Sequence, residues 1–256
     1  MINRITNIQK IVQFTLCSLT SLLALSHICV AGNVANTAPA EPAKVAYKFT
    51  TTYLRASDHN DAIDLNLRAN YAVHTAWVGE YGDKQGFRQL RAGYEYNPEF
   101  TYIRPTLSVQ IASRGYVAGS ITTEIGEKNF AIFGIARTNL QEYYDLGHDP
   151  SDAVTLGIGS RAIENNEIFL FQVFDDRLKT QQRNNHLVWR YEFSDEERIS
   201  IDASYKTGLT TDNVFIHGYG LSADYRYKQY FARIARDEYA NFNPSHQTRF
   251  SAGFHF

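Results

Sequence analysis

Apolar and polar residues alternate one for one along most of this chain. In the clearest run, Ile63, Leu65, Leu67, Ala69 and Tyr71 interleave with Asp64, Asn66, Arg68 and Asn70. A helix would scatter those apolar residues around its circumference, whereas a strand places them on one face. The same alternation sets Leu90, Ala92, Tyr94 and Tyr96 against Gln89, Arg91, Gly93 and Glu95. It recurs at Ile103–Ile111, Leu187–Phe193, Ile199–Tyr205 and Tyr219–Tyr227. These segments run roughly 9–11 residues, the length a tilted strand needs to cross a hydrocarbon layer.

The pattern predicts about fourteen strands, with twelve as the alternative count. They fall near 46–56, 62–72, 75–82, 87–96, 100–112, 116–126, 129–138, 153–162, 167–175, 184–193, 198–208, 214–227, 230–239 and 247–256. Two of them, 129–138 and 167–175, are apolar on both faces. The connections sort into two sets taken alternately. One set is tight (Val73–His74, Asn97–Glu99, Glu127–Lys128, Ser194–Glu197, Lys228–Gln229), and the other is longer, including 139–152, 176–183 and 240–246. Short periplasmic turns alternating with longer external loops define an all-β, antiparallel, up-and-down transmembrane barrel over residues 46–256. Even strand parity puts both ends of the barrel on the periplasmic side.

Aromatic residues agree with this. They reach 14%, with 17 Tyr and 16 Phe. Tyr94, Tyr96, Tyr191, Phe193, Tyr225, Tyr227 and Tyr230 sit beside the tight turns, where amphipathic rings would build a girdle at the lipid–water boundary. Trp77, Tyr53 and Tyr239 are expected toward the opposite end. A periplasmic β-sandwich would also alternate, but its apolar face would point inward and need no aromatic belts.

Upstream of the strands, Arg4 and Lys10 precede a mostly apolar stretch from Ile11 to Leu25, followed by small residues at Cys29 and Ala31. This fits a secretory signal peptide over 1–31, cleaved after Ala31. Residues 32–45 are rich in Ala, Pro and Asn and read as a flexible periplasmic lead-in. Leu16 and Ile28 precede the two cysteines, which argues against lipidation. Beyond the signal there is no cysteine and no apolar run of the length of a membrane helix.

The last ten residues carry the most specific motif. Phe250, Ala252, Phe254 and Phe256 share one face, with the aromatic Phe256 at the end. This resembles the C-terminal insertion signal of Gram-negative outer-membrane β-barrels, which the barrel-assembly machinery reads. The resemblance implies an outer-membrane location, contact with outer-membrane lipid and lipopolysaccharide, and insertion from the periplasm. Among such barrels the chain is most similar to small monomeric porin-like channels, although no family-specific motif matches.

If the apolar face meets lipid, the polar face lines the lumen. It carries Lys48, Asp64, Arg68, Arg91, Glu95, Arg104, Glu124, Arg190, Glu192, Arg198, Asp202, Lys206, Asp224, Arg226, Arg233 and Arg249. Basic residues modestly outnumber acidic ones there, which points to passage of small polar or anionic solutes. The same residues would equally well pair across strands and fill the interior. Because fourteen strands enclose a narrower lumen than the 16–18 of open porins, an inserted loop could close it. Overall the chain has 25 basic residues, of which Arg4 and Lys10 fall in the signal, against 27 acidic ones. That balance gives no reason to expect nucleic acid.

Candidate chemistry is sparse, and no catalytic residue, metal site or cofactor is expected. The loop with Asp145, His148, Asp149 and Asp152 reads as an ordinary solvated external loop, without the spacing of a calcium site. His148–Asp149 and Asp175–Asp176 both fall on the external side, as the His–Asp pair and paired carboxylates that activate a water do in omptin-like outer-membrane proteases. The sequence around them does not look like that family, however, and the chain is shorter than its members. Ser245–His246 is the residue pair closest to that of lipid-modifying enzymes, but neighbours on an extended chain diverge. His59, His74, His186, His217 and His255 form no motif; His255 is expected to face the lumen and His217 the lipid. The favoured reading is a passive channel. The alternative is a plugged structural barrel in envelope or surface-polysaccharide machinery.

Overall fold

The alternation folds into fourteen antiparallel strands in the computed structural model, which describes residues 44–256. The expected signal peptide, and all but the last two residues of the lead-in, lie outside the described residues. The strands are β1 Ala46–Ala56, β2 Ala62–Tyr71, β3 His74–Asp83, β4 Arg88–Tyr96 and β5 Ile103–Ala112. Next come β6 Tyr116–Gly126, β7 Asn129–Thr138, β8 Ala153–Ser160, β9 Asn166–Asp175 and β10 Arg183–Ser194. The last four are β11 Glu197–Leu209, β12 Phe215–Tyr227, β13 Tyr230–Asp237 and β14 Gln247–His255. Each pairs with its neighbours in sequence, and β1 pairs with β14 to close the barrel.

The closing seam runs in register from Lys48↔His255 to Ala56↔Gln247. Tyr47 and Phe256 extend it by exchanging backbone hydrogen bonds of 2.8 and 3.0 Å. Their rings stack with centroids 5.4 Å apart. Closure leaves no strand edge unpaired, the condition for placing a sheet in lipid.

The burial pattern is inverted relative to a water-soluble protein. Leu90, Val109, Ile111, Ile158, Leu170 and Ile234 are exposed, while Asp64, Gln89, Arg91, Asn184 and Lys206 are buried. An outward apolar band around a polar interior is the transmembrane arrangement. Tyr94, Tyr96, Phe193, Tyr225, Tyr227 and Tyr230 stand exposed at the end of the tight turns. On that side β2–β3, β6–β7, β10–β11 and β12–β13 are joined by two residues each, whereas 97–102 and 161–165 are longer than expected.

Strands β7 and β9 read as apolar on both faces because the interior holds a hydrophobic cluster there. Phe130, Ile132, Phe169 and Val188 form it, with Phe171 packed alongside. Glycines on β8 make room for the rings: a Cβ on Gly159 would lie 2.3 Å from the Phe130 ring.

Trp77 corrects the expected belt. It is four residues into β3 from the tight-turn end and faces inward, its indole lying over Gly93, where a Cβ would come within 2.5 Å of the ring. A strand's phase, not the amphipathic character of its tryptophan, decides the direction.

Candidate functional site: the lumen and its inserted loop

The β7–β8 connection, 139–152, departs most from expectation. It does not extend into solvent but folds into the barrel. Its aromatics lead the way: Tyr143 stacks on Tyr116 of β6 at 4.2 Å, and Tyr144 on Tyr81 of β3 at 4.4 Å. Leu146 packs against Leu54, Ala62 and Tyr81, and its carbonyl accepts a hydrogen bond from Arg249 on β14. His148, fully buried, donates from Nε2 to Gln247 Oε1 at 3.1 Å. Asp149 accepts from Asn184 Nδ2 at 2.8 Å and faces Nε2 of His186 at 3.0 Å, both on β10.

The base of the loop is clamped separately. Asp152 accepts from the Thr138 amide at 2.9 Å and from Arg177 at 2.5 Å. His148 holds a φ of +61°; in a residue with a side chain such left-handed backbone costs on the order of 1–3 kcal/mol. The surrounding contacts hold it there.

Burial also sets the ionisation of the loop. Loss of water pushes the Asp145 carboxyl up to about 6, helped by the nearby Asp149 and opposed by the Gly147 amide, Arg249 and Arg91. Burial, with repulsion from Arg249 and Lys206, brings the His148 imidazole down to about 4 against the pull of Asp237. At neutral pH His148 is therefore neutral.

Strand register puts all the charged residues expected on the polar face on the inward side, in connected rows. Lys48 is flanked by His255 and Arg68, and Arg68 by Trp77. Arg198 neighbours Arg226 and Glu192, and Asp224 neighbours Arg233. Several are matched in pairs. Asp64 bonds Arg91, Asp237 accepts from Arg249 at 2.7 Å, and Arg68 donates twice to Glu95 at 3.1 and 3.2 Å. Glu124 joins Arg104 at 3.4 Å and Arg161 at 2.6 Å, while Arg190 meets Glu167 at 2.8 Å. Lys206 is buried, its ammonium unpaired among the described residues.

A cavity of about 590 Å³ remains between the loop and the wall. Its charged lining is Lys48, Arg68, Arg91, Arg233 and Arg249 against Asp64, Asp145, Asp149, Asp202, Asp224 and Asp237, with His186. A basic excess is thus not a property of this cavity as a whole. The loop's own carboxylates, counted as solvated in the sequence reading, lie inside and offset it.

The grouping that a protease-like site would need does not form. Asp149 is engaged with β10. Asp175 accepts from the amides of Arg177, Leu178 and Thr180 and from the Thr180 hydroxyl, closing its own turn. Asp176 pairs with Arg137 at 2.6 Å. Ser245 and His246 part as well: Ser245 Oγ lies 3.4 Å from Ser57 Oγ, and His246 Nδ1 accepts from the Tyr239 amide at 3.3 Å. His255 faces inward beside Phe231, and His217 faces outward, bonded to Tyr205 at 2.9 Å.

Sequence reasoning missed His186, whose Nδ1 also stands 3.0 Å from Asp202. Its inward phase on β10 was the available signal. It missed Tyr143 and Tyr144 too, two adjacent aromatics in an otherwise polar loop.

No protein-family model matches the chain, and no curated protein sequence matches it. Among solved structures, the outer membrane protein Omp33 of Acinetobacter baumannii is similar at 12% identity with a TM-score of 0.53, covering 82% of this chain and 97% of that one. The KdgM porin is similar at 9% identity and a TM-score of 0.46, over 81% of this chain and 98% of that one. Pseudomonas aeruginosa OccK5 stands at 8% and 0.44, over 84% and 98%. At such identities the likeness to Omp33 is one of fold. The chain has the closed antiparallel barrel of outer-membrane proteins.

Proposed function

We propose that this protein is a passive outer-membrane channel for small polar solutes, with the β7–β8 loop as its constriction. One observation carries the reading. Inward-facing Arg68, Arg104 and Arg190 keep 36%, 37% and 42% of their side-chain surface exposed inside the barrel. Arginines packed as filler would be buried, so this exposure supports a water-filled lumen on the tight-turn side of the loop. The charged residues of the polar face then line the solute path and set its selectivity.

A plugged barrel serving envelope machinery draws on the same loop, because its anchors cross the interior. Swelling of liposomes containing the purified protein separates the two. A channel admits a pentose faster than a disaccharide, while a plugged barrel leaves swelling at the rate of protein-free liposomes.

Delivery completes the proposal. Residues 1–31 act as the cleaved signal and 32–45 as a periplasmic lead-in. Phe250, Phe254 and Phe256 present the strand that the assembly machinery reads. The barrel works as a monomer among outer-membrane lipid and lipopolysaccharide.

A further inference from the structure

Cations on the outer wall of the barrel gather at one end. Among the described residues, every arginine that faces outward from a strand stands at the long-loop end: Arg55, Arg88, Arg137, Arg183 and Arg236. The connections at the tight-turn end carry more acidic than basic residues. A cation on a lipid-facing wall is costly at mid-membrane and tolerated near the headgroups, where it meets water and lipid phosphate. Arg88 reaches Glu80 at 3.7 Å and Arg137 reaches Asp176 at 2.6 Å, whereas Arg55, Arg183 and Arg236 have no carboxylate partner among the described residues.

Two of these unmatched arginines meet at the closing seam. Arg55 of β1 and Arg236 of β13 are both neighbours in register of Thr248 on β14, which lies between them. Two strand spacings separate the pair, roughly 10 Å from Cα to Cα, a gap that two arginine side chains span. Arg236 already leans into it, its Nη1 donating to Thr248 Oγ1 at 2.9 Å. Arg55 is exposed, and its guanidinium has no hydrogen-bond partner among the described residues. The carboxylates beside them are engaged elsewhere. Asp61 holds Lys84 at 2.6 Å and the Tyr53 hydroxyl at 2.9 Å, and Glu238 accepts from the Tyr219 amide at 3.0 Å. One row nearer mid-membrane, Tyr53, Phe250 and Ile234 stand in register on the same outward face, all exposed. The next row narrows to Thr51, Ala252 and Ala232. Two cations and a hydroxyl above an apolar strip are complementary to a phosphate attached to a hydrocarbon chain.

We propose that this stretch of the seam binds a phosphate-bearing lipid of the outer leaflet. The phosphate sits over Thr248 between Arg55 and Arg236, taking charge-assisted hydrogen bonds from both guanidinium groups and the proton of the threonine hydroxyl. The acyl chain runs down the outer wall past Phe250, between Tyr53 and Ile234, toward Ala252. Free phosphate satisfies the charges but not the apolar row, and a neutral lipid the reverse. Because β1 and β14 are joined only across the seam, the bound lipid straps the two ends of the barrel together. The site lies on the outer wall, so it does not depend on conduction.

Native mass spectrometry of the folded barrel released from detergent counts the lipids it keeps. Titrated with dioleoyl phosphatidic acid, the barrel should retain a first lipid saturably, and dioleoylglycerol, which has the same chains and no phosphate, should leave it bare. Excess inorganic phosphate should not displace the lipid. In an Arg55→Gln/Arg236→Gln variant that keeps the heat-dependent gel shift of a folded barrel, apparent affinity for the first phosphatidic acid should fall about tenfold or more. An Arg88→Gln/Arg183→Gln variant removes as much charge from the same end and should change it about twofold or less. Equal retention of dioleoylglycerol, displacement by inorganic phosphate, or equal losses in the two variants would each overturn the site. A second copy of the chain bound in place of lipid would overturn it as well. If the Arg55→Gln/Arg236→Gln variant does not fold, the comparison of phosphatidic acid with dioleoylglycerol on the wild type decides, together with the Arg88→Gln/Arg183→Gln variant.

Discussion

His148 on the β7–β8 loop hydrogen-bonds Gln247 on β14 at 3.1 Å. In a ring of fourteen strands β14 stands seven places from β7, so this bond joins the loop to the wall opposite its root. With Tyr144 on Tyr81 and Asp149 beside His186, the loop is held on three sides. The lumen's width is therefore a property of those anchors as much as of strand number.

Arg249 is the anchor whose loss should be felt most. It binds both Asp237 and the Leu146 carbonyl and is nearly buried. Arg249→Ala takes from the Asp237 carboxylate its hydrogen-bonded partner and leaves it only the more distant Lys206; breaking a buried pair costs about 3 kcal/mol or more. We expect a lower unfolding temperature and a larger single-channel conductance. A variant with wild-type conductance would show that the loop is held without this residue.

The loop should respond little to acid, because two groups oppose each other. Seated Asp145, with its carboxyl raised to about 6, binds a proton between pH 4 and 6 that a solvated Asp lacks, so seating weakens as pH rises through that window. Seated His148, lowered to about 4, lacks a proton that a solvated His holds between pH 4 and 6.5, so seating strengthens as pH rises. Asp145→Asn removes the first effect. Its conductance should increase as pH falls from 7 to 4.5, while that of the wild type stays nearly flat. The opposite trend in Asp145→Asn would refute the assignment.

Gly253 lies on the closing seam. A Cβ there would come within 2.0 Å of the Phe49 carbonyl oxygen and 2.6 Å of the Phe231 ring. Gly253→Ala should lower the thermal stability of the folded barrel by about 1–3 kcal/mol, as overpacking does. Heat-dependent gel mobility reads this directly, and an unshifted transition would mean that the seam relaxes freely.

The strands were legible because one period governs them. A closed barrel puts lipid on one face and a polar lumen on the other, so alternation persists from Lys48 to His255. Where the interior is apolar, at Phe130, Ile132 and Phe169, the period fades, although the strands remain. The loop was not legible. His148, Asp145 and Asp149 look like surface residues, since polarity alone does not distinguish bulk water from a polar lumen. Their partners, Gln247, Arg249 and His186, lie on distant strands that only barrel closure brings near. The same holds for charge: sequence gives its total on the polar face, but register decides which cations find carboxylates.

Phe256 closes the seam through Tyr47. Phe256→Ala keeps the backbone pair and loses the stacked ring. Expressed in cells, it should reduce the amount of heat-modifiable barrel in outer-membrane fractions several-fold, with the shortfall in the periplasm. Equal amounts of assembled barrel would leave the terminal aromatic without a role in delivery.

Single-channel recording in planar bilayers reads an aqueous path past the inserted loop. Folded protein, verified by its heat-dependent gel shift, should insert in discrete conductance steps, with larger steps for Arg249→Ala. A folded wild-type barrel that inserts yet stays silent at every voltage would contradict it.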